Sequence, residues 1–124
     1  MRLLFLLTSL LLSLPANAET IKSVYDGDTI TLYPNEKVRL MCINAPEIRS
    51  NKHGERDPIK GPLARNYLKS LVENKNLTVL RYSKDKYGRI LARVFLEDGS
   101  EVSKIMYETG HAKKYIFYKC AWAK

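Results

Sequence analysis

Two aspartates flank a glycine at Asp26-Gly27-Asp28, so one tight turn can present two carboxylates and its own carbonyls together. Further along, Asn44 and Glu47 bracket Ala45-Pro46 directly after a β-prone stretch that holds Arg39, and Arg89 opens a later one. Oxygen donors of this kind suit a hard cation such as Ca²⁺ or Mg²⁺. Two arginines can neutralise a phosphate and offer it bidentate hydrogen bonds. A glutamate beside the cation can activate water. Each residue also has a plainer use. Asp-Gly is a common turn, Glu47 can decorate a loop, and surface arginines often form ion pairs worth roughly 0–1 kcal/mol. His53 and His111 have no specific carboxylate pattern near them and read as solvent-exposed side chains.

All of these residues stand at the ends of short elements. Residues 21–25 and 29–33 are β-prone runs on either side of the aspartate turn. Val38, Leu40 and Cys42 then alternate with Arg39 and Met41 before Ile43, which predicts a third strand. It ends at Asn44-Ala45-Pro46, because a residue before proline is pushed out of the helical region. The polar stretch 49–60 reads as a surface loop. Gly61-Pro62 opens a helix with the stripe Leu63, Ala64, Tyr67, Leu68, Leu71 and Val72. Strands follow at 77–82 and 90–96. Asp98-Gly99 then leads into a second helix that carries Val102, Ile105, Met106 and Thr109 on one side, with Gly110 fitting its C-cap. From residue 115 the tail mixes aromatics with lysines and suits a strand, a short helix or a loose segment. Five short strands must hide their edges. The expected fold is therefore mainly β, a small five-stranded OB-fold barrel with two or three packed helices. A flatter α+β sandwich is the alternative.

Met1-Arg2, an apolar run over residues 3–14, Pro15 and the small-x-small pattern Ala16-Asn17-Ala18 read as a cleavable signal peptide over 1–18. That run is shorter than the roughly 20 apolar residues a spanning helix needs. Residues 19–124 then form one domain, exported to the periplasm or the medium, with no stable membrane anchor after cleavage and expected to be a monomer. The chain carries a formal charge of +8, of which only Arg2 leaves with the leader. Such a charge favours polyanions, meaning nucleic acid or an anionic surface. Cys42 and Cys120 are the two cysteines. They can form one disulfide in an oxidising compartment, or Cys42 can be a small buried apolar residue; their spacing does not suggest structural zinc.

Three segments carry a family resemblance: Val24-Tyr25-Asp26-Gly27-Asp28-Thr29, then Arg39-Leu40-Met41-Cys42-Ile43-Asn44-Ala45-Pro46-Glu47, then Asp85-Lys86-Tyr87-Gly88-Arg89. In this order and at these separations they resemble the staphylococcal nuclease (thermonuclease) family over nearly all of the chain beyond the leader. The resemblance implies an OB-fold barrel and hydrolysis of phosphodiester bonds in DNA and RNA, typically with Ca²⁺ (Mg²⁺ or Mn²⁺ being possible), leaving 3′-phosphate ends. It implies that Asp28 binds the metal and that Asp26 lies close to it. Glu47 would orient or deprotonate the attacking water, Arg39 and Arg89 would clamp the phosphate, and Tyr87 would contact a terminal phosphate of the substrate. Two positions depart from the pattern. Asn44 replaces a metal-binding aspartate, so the cation site loses a formal charge. Gly61-Pro62-Leu63-Ala64 replaces a Gly-x-Glu-Ala stretch, and the family's last helix looks truncated or absent. Two further readings are a catalytically weak nucleic-acid-binding module and a basic envelope-associated structural protein. The first draws on Asn44; the second leaves the three segments unexplained.

Overall fold

Gly27 and Asp28 form the turn between β1 (Ile21–Asp26) and β2 (Thr29–Leu32), an antiparallel hairpin with Val24 opposite Ile30. β2 pairs in turn with β3 (Glu36–Leu40), which places Thr29 opposite Arg39 and Thr31 opposite Lys37. In this computed structural model residues 18–50, 54–116 and 120–123 are described; residues 1–17 of the expected leader and His53 lie outside them. α1 (Lys60–Val72) follows the polar loop, and then come β5 (Thr78–Lys84) and β6 (Ile90–Phe95) as a second hairpin. β6 lies parallel to β3, Arg39 opposite Leu91, so the sheet order is β1-β2-β3-β6-β5. The two ends of the sheet are joined by reciprocal backbone hydrogen bonds between Glu19 and Leu77, at 2.9 and 2.8 Å. Arg81 of β5 adds ion pairs to both Glu19 and Glu36. The architecture is a mainly β domain with two helices, and among the described residues the named strands do not close into a ring.

The expected third strand is divided. The chain turns at Met41 and Cys42, with Cys42 at φ 74°, and resumes as β4 (Ile43–Asn44). Apolar alternation runs through the turn because Met41 and Cys42 are themselves buried, so periodicity alone cannot see the break. β4 pairs with β7 (Lys113–Lys114) in a separate two-stranded sheet. Helix α1 buries Gly61, Ala64, Leu68 and Val72, one face at three- and four-residue spacing. Leu63 belongs to the opposite side and is 58% exposed, which corrects its place in the expected stripe. Asp57 accepts the N–H groups of Ile59 and Lys60 and satisfies the start of the helix. α2 (Val102–Glu108) ends in a Schellman arrangement: Gly110 at φ 77° donates to Tyr107 and His111 donates to Met106. The fully buried Ile30, Leu32, Val38, Leu40, Leu68 and Met106 form the core between sheet and helices. His111 is partly buried and stacked on Tyr67, ring centroids 4.0 Å apart, rather than simply exposed.

Cys42 and Cys120 form a disulfide with a Cα–Cα distance of 6.1 Å. It ties the Met41–Cys42 turn to the short 3-10 turn Ala121–Ala123, and Trp122 there donates from Nε1 to Glu101 at 3.0 Å. The bond spans a sequence separation of 78, so it removes much freedom from the unfolded chain. Replacing both cysteines by serine is expected to lower stability by about 2–5 kcal/mol. A urea titration checks this; an unchanged midpoint in the oxidised and doubly substituted proteins would contradict it.

Candidate active site

Asp28, only 3% exposed, joins three pieces of chain. Its Oδ2 accepts the Ala45 N–H at 2.8 Å, its Oδ1 accepts the Thr29 hydroxyl at 3.0 Å, and its carbonyl accepts the Leu40 N–H at 2.8 Å. The turn that carries it fits only because residue 27 has no side chain. A Cβ at Gly27 would stand 2.7 Å from the Ala45 Cβ and 2.8 Å from the Ala64 Cβ. Gly61 serves the same purpose on α1, where a Cβ would stand 2.6 Å from the Glu47 carbonyl oxygen. The small residues Gly61 and Ala64 of α1 therefore seat both the aspartate turn and the Glu47 segment. Glu47 also forms a parallel bridge with Arg56, and its carbonyl accepts the Asp57 N–H at 2.9 Å.

The two arginines are held in different ways. Arg39 Nη1 donates to the carbonyls of Leu40 and Ile43, the latter at 2.9 Å, and its Nη2 lies 3.4 Å from Asp28 Oδ2. Those carbonyls flank the turn at Met41 and Cys42, so the break in the strand is what fixes Arg39. Arg89 Nε donates to Asp85 Oδ2 at 2.7 Å. Asp85 Oδ1 accepts the N–H groups of Tyr87 and Arg89, both at 2.9 Å. Burial works to raise the Asp85 pKa, but these hydrogen bonds and the adjacent guanidinium outweigh it and hold the carboxyl below its usual range. The Arg89 guanidinium also stands 5.6 Å from the Tyr87 ring centroid. Asp85 thus orients Arg89.

The pieces meet at one pocket of about 440 Å³. Asp26, Asp28, Arg39, Asn44, Glu47, Tyr87 and Arg89, every site residue expected from the sequence, line it. Sequence reasoning passed over four others there: Tyr25, Asp85, Lys86 and Tyr115. The Asp85 signal was present, since an acid four residues before Arg89 across a Gly88 turn is well placed to bind it. Tyr115 is placed by its N–H, which donates to the Cys42 carbonyl at 2.9 Å, a contact no local pattern announces.

The pocket is rich in hard oxygen donors: the carboxyl groups of Asp26, Asp28 and Glu47, and the amide of Asn44. Among the described residues, no three His, Cys, Asp or Glu side chains are grouped so as to hold a metal by themselves. A cation here would need the Asn44 carbonyl, main-chain oxygens, water or substrate to complete its shell. The electrostatics fit a cation nonetheless. Asp26 accepts the Asp28 N–H at 3.1 Å, yet burial, then the adjacent Asp28 carboxylate, push its pKa up to about 8. Two acids packed this closely, with Arg39 paired to Asp28 and Arg89 to Asp85, leave room for further positive charge.

The raised pKa has a stability consequence in metal-free protein. The unfolded chain loses the Asp26 proton near pH 4 and the folded chain only near pH 8. Between these values the folded state binds more protons, so Asp26 makes stability fall as pH rises through that window. Asp26→Asn is expected to flatten the slope and to raise Tm at pH 8 in chelator, by roughly 4–8 °C for each kcal/mol relieved. Thermal melts at pH 5, 6.5 and 8 check it; parallel slopes for variant and wild type would contradict it.

Residues 37–123 match the model of the family described as staphylococcal nuclease homologue. An uncharacterized endonuclease of Escherichia coli is 37% identical over 98 residues, covering 77% of this chain and 59% of that protein. The thermonuclease of Staphylococcus intermedius is 37% identical over 86 residues, 63% of this chain and 48% of that protein. Endonuclease YhcR of Bacillus subtilis is 30% identical over 108 residues, 79% of this chain but 9% of its own length. The chain thus spans about three fifths of the Escherichia coli relative and less of the others. With its seven expected residues around one pocket and this match over most of its length, the chain belongs to the staphylococcal nuclease homologue family.

Proposed function

We propose that this protein is a metal-dependent nuclease that hydrolyses phosphodiester bonds of DNA, RNA or both with little sequence specificity and leaves 3′-phosphate ends. Relatives named endonuclease and thermonuclease support a nuclease-like activity. The observation that carries the finer reading is the shared pocket, where two arginines, a glutamate and a buried aspartate turn stand together. Asp28 and Asn44, with Asp26 beside them, would hold Ca²⁺, or Mg²⁺ or Mn²⁺ in its place. A cation bound there supplies Lewis-acid polarisation of a phosphoryl oxygen. Glu47 orients the attacking water and accepts its proton. Arg39 and Arg89 meet the negative charge that grows on the phosphoryl oxygens, already positioned by the Leu40 and Ile43 carbonyls and by Asp85. Tyr87 contacts a terminal phosphate. We also read the sheet as an OB-type barrel whose ends meet at Glu19 and Leu77, residues 1–18 as a cleaved signal peptide, and the product as a monomer in the periplasm or the medium.

One observation favours a second reading. With Asn44 in the pocket and no three-acid metal group among the described residues, a catalytically weak nucleic-acid-binding module has a physical basis. Cleavage assays on single-stranded DNA, duplex DNA and RNA with Ca²⁺, Mg²⁺, Mn²⁺ or chelator separate the two. Metal-dependent cleavage supports the nuclease; binding without cleavage under every metal supports the module. Arg89→Ala is expected to lower kcat about 10²–10³-fold, and Glu47→Ala about 10²–10⁴-fold, with KM changed far less. Folded variants with unchanged turnover would remove those assignments. Asn44→Asp is expected to tighten Ca²⁺ binding measured by calorimetry, and unchanged affinity would place Asn44 outside the coordination shell.

A further inference from the structure

Beside the catalytic pocket lies a second groove of about 700 Å³, which shares Tyr25, Tyr87 and Arg89 with it. The two adjoin across β1, β2 and β3. Side chains two residues apart on a strand point to the same side, roughly 7 Å from each other. On β3, Arg39 lines the pocket and Lys37 lines the groove; on β1, Tyr25 reaches both and Ser23 continues into the groove. The register puts Ser23, Thr31 and Lys37 side by side across β1, β2 and β3. Thus the same pleat that aims Arg39 at the scissile site aims Lys37 at the next position along.

The chemistry of the groove differs from that of the pocket. Lys22, Lys37 and Arg89 line it and no carboxylate does. Among the described residues neither Lys22 nor Lys37 forms an ion pair. Its surface is otherwise largely apolar, and Tyr25 on its wall is 47% exposed, a large ring left in water. Uncompensated cations beside an exposed aromatic ring suit a single polynucleotide strand, whose phosphates take the lysines while an unpaired base stacks on the ring.

We propose that this groove is a second nucleic-acid subsite, which holds the nucleotides flanking the scissile phosphodiester on a single-stranded stretch of substrate. Lys22 and Lys37 bind flanking phosphates and Tyr25 stacks a flanking base. The proposal rests on the nuclease reading for its orientation but not for its test. Binding of a fluorescein-labelled single-stranded 12-mer is measured by anisotropy in chelator, with wild type, Lys22→Glu/Lys37→Glu and Tyr25→Ala. The charge reversals are exposed and are expected to weaken binding at low salt and to flatten the dependence of log K on log[salt] by at least the roughly 1.4 expected for two lost phosphate contacts. Tyr25→Ala is expected to weaken binding roughly 5- to 150-fold. Hydrolysis of a nitrophenyl ester of thymidine phosphate, which has no flanking phosphate for the two lysines to hold, is expected to be unchanged by Lys22→Glu/Lys37→Glu. Unchanged 12-mer affinity and salt slope in that variant overturn the subsite, even where the wild type cleaves. Weakened binding in the variant together with a wild type that cleaves nothing keeps the subsite and removes the nuclease.

Discussion

A carboxylate taken out of water must be given partners, and Asp28 is where this chain meets that demand. Left unsatisfied, such a group would cost several kcal/mol. Its partners come from three places: the Ala45 N–H, the Thr29 hydroxyl and the Arg39 guanidinium. Meeting the demand therefore closes the hairpin turn onto the end of β3 and onto the segment that carries Asn44 and Glu47. The glycine at 27 and the alanines at 45 and 64 let the backbones approach closely enough for it to happen. The rest of the pocket is arranged around that junction. Arg39 is anchored to the same strand end, and Arg89 arrives through the β6 that β3 recruits.

Much of this is legible in the sequence, for local reasons. The β1–β2 hairpin and the first helix follow from alternation, a turn signal and a Gly-Pro start, all of which act over a few residues. The site residues stand out as polar groups at element ends, but each has a plainer structural use. It is the family resemblance of the three segments that implies their roles and adds Tyr87. What escapes is set by distance or by burial. The turn at Met41 and Cys42 is hidden because both residues are buried and keep the apolar rhythm of a strand. Leu63 misleads for the opposite cause, an apolar residue left on the outer side of α1. The cysteine pair stays open in the sequence, since bonding depends on two Cα atoms lying 6.1 Å apart after everything else has folded. Asp85 was within reach, because its spacing from Arg89 is itself a local pattern.

The two grooves divide the electrostatic work. In the pocket, carboxylates and guanidinium groups sit in mixed order, and each arginine is restrained by an acid or by carbonyls. Restraint of this kind suits groups that must be in place before charge develops. The charges that line the adjoining groove are all positive, and its long, exposed lysines can follow a backbone without fixing it. Neighbouring parts of one sheet thereby offer restrained donors and compliant ones.

The parallel pairing of β3 with β6 sets when the pocket is complete. The aspartate turn, Arg39 and Glu47 all leave the ribosome before Arg89 exists, and the hairpin that brings Arg89 must then find β3 across the whole of α1. Parallel, non-local pairing of this sort must meet a loop-closure cost before its contacts reward it, and is slower to form than a local hairpin. An unfolded chain therefore carries the side chains of the pocket without the pocket, which exists only once strands far apart in sequence have paired.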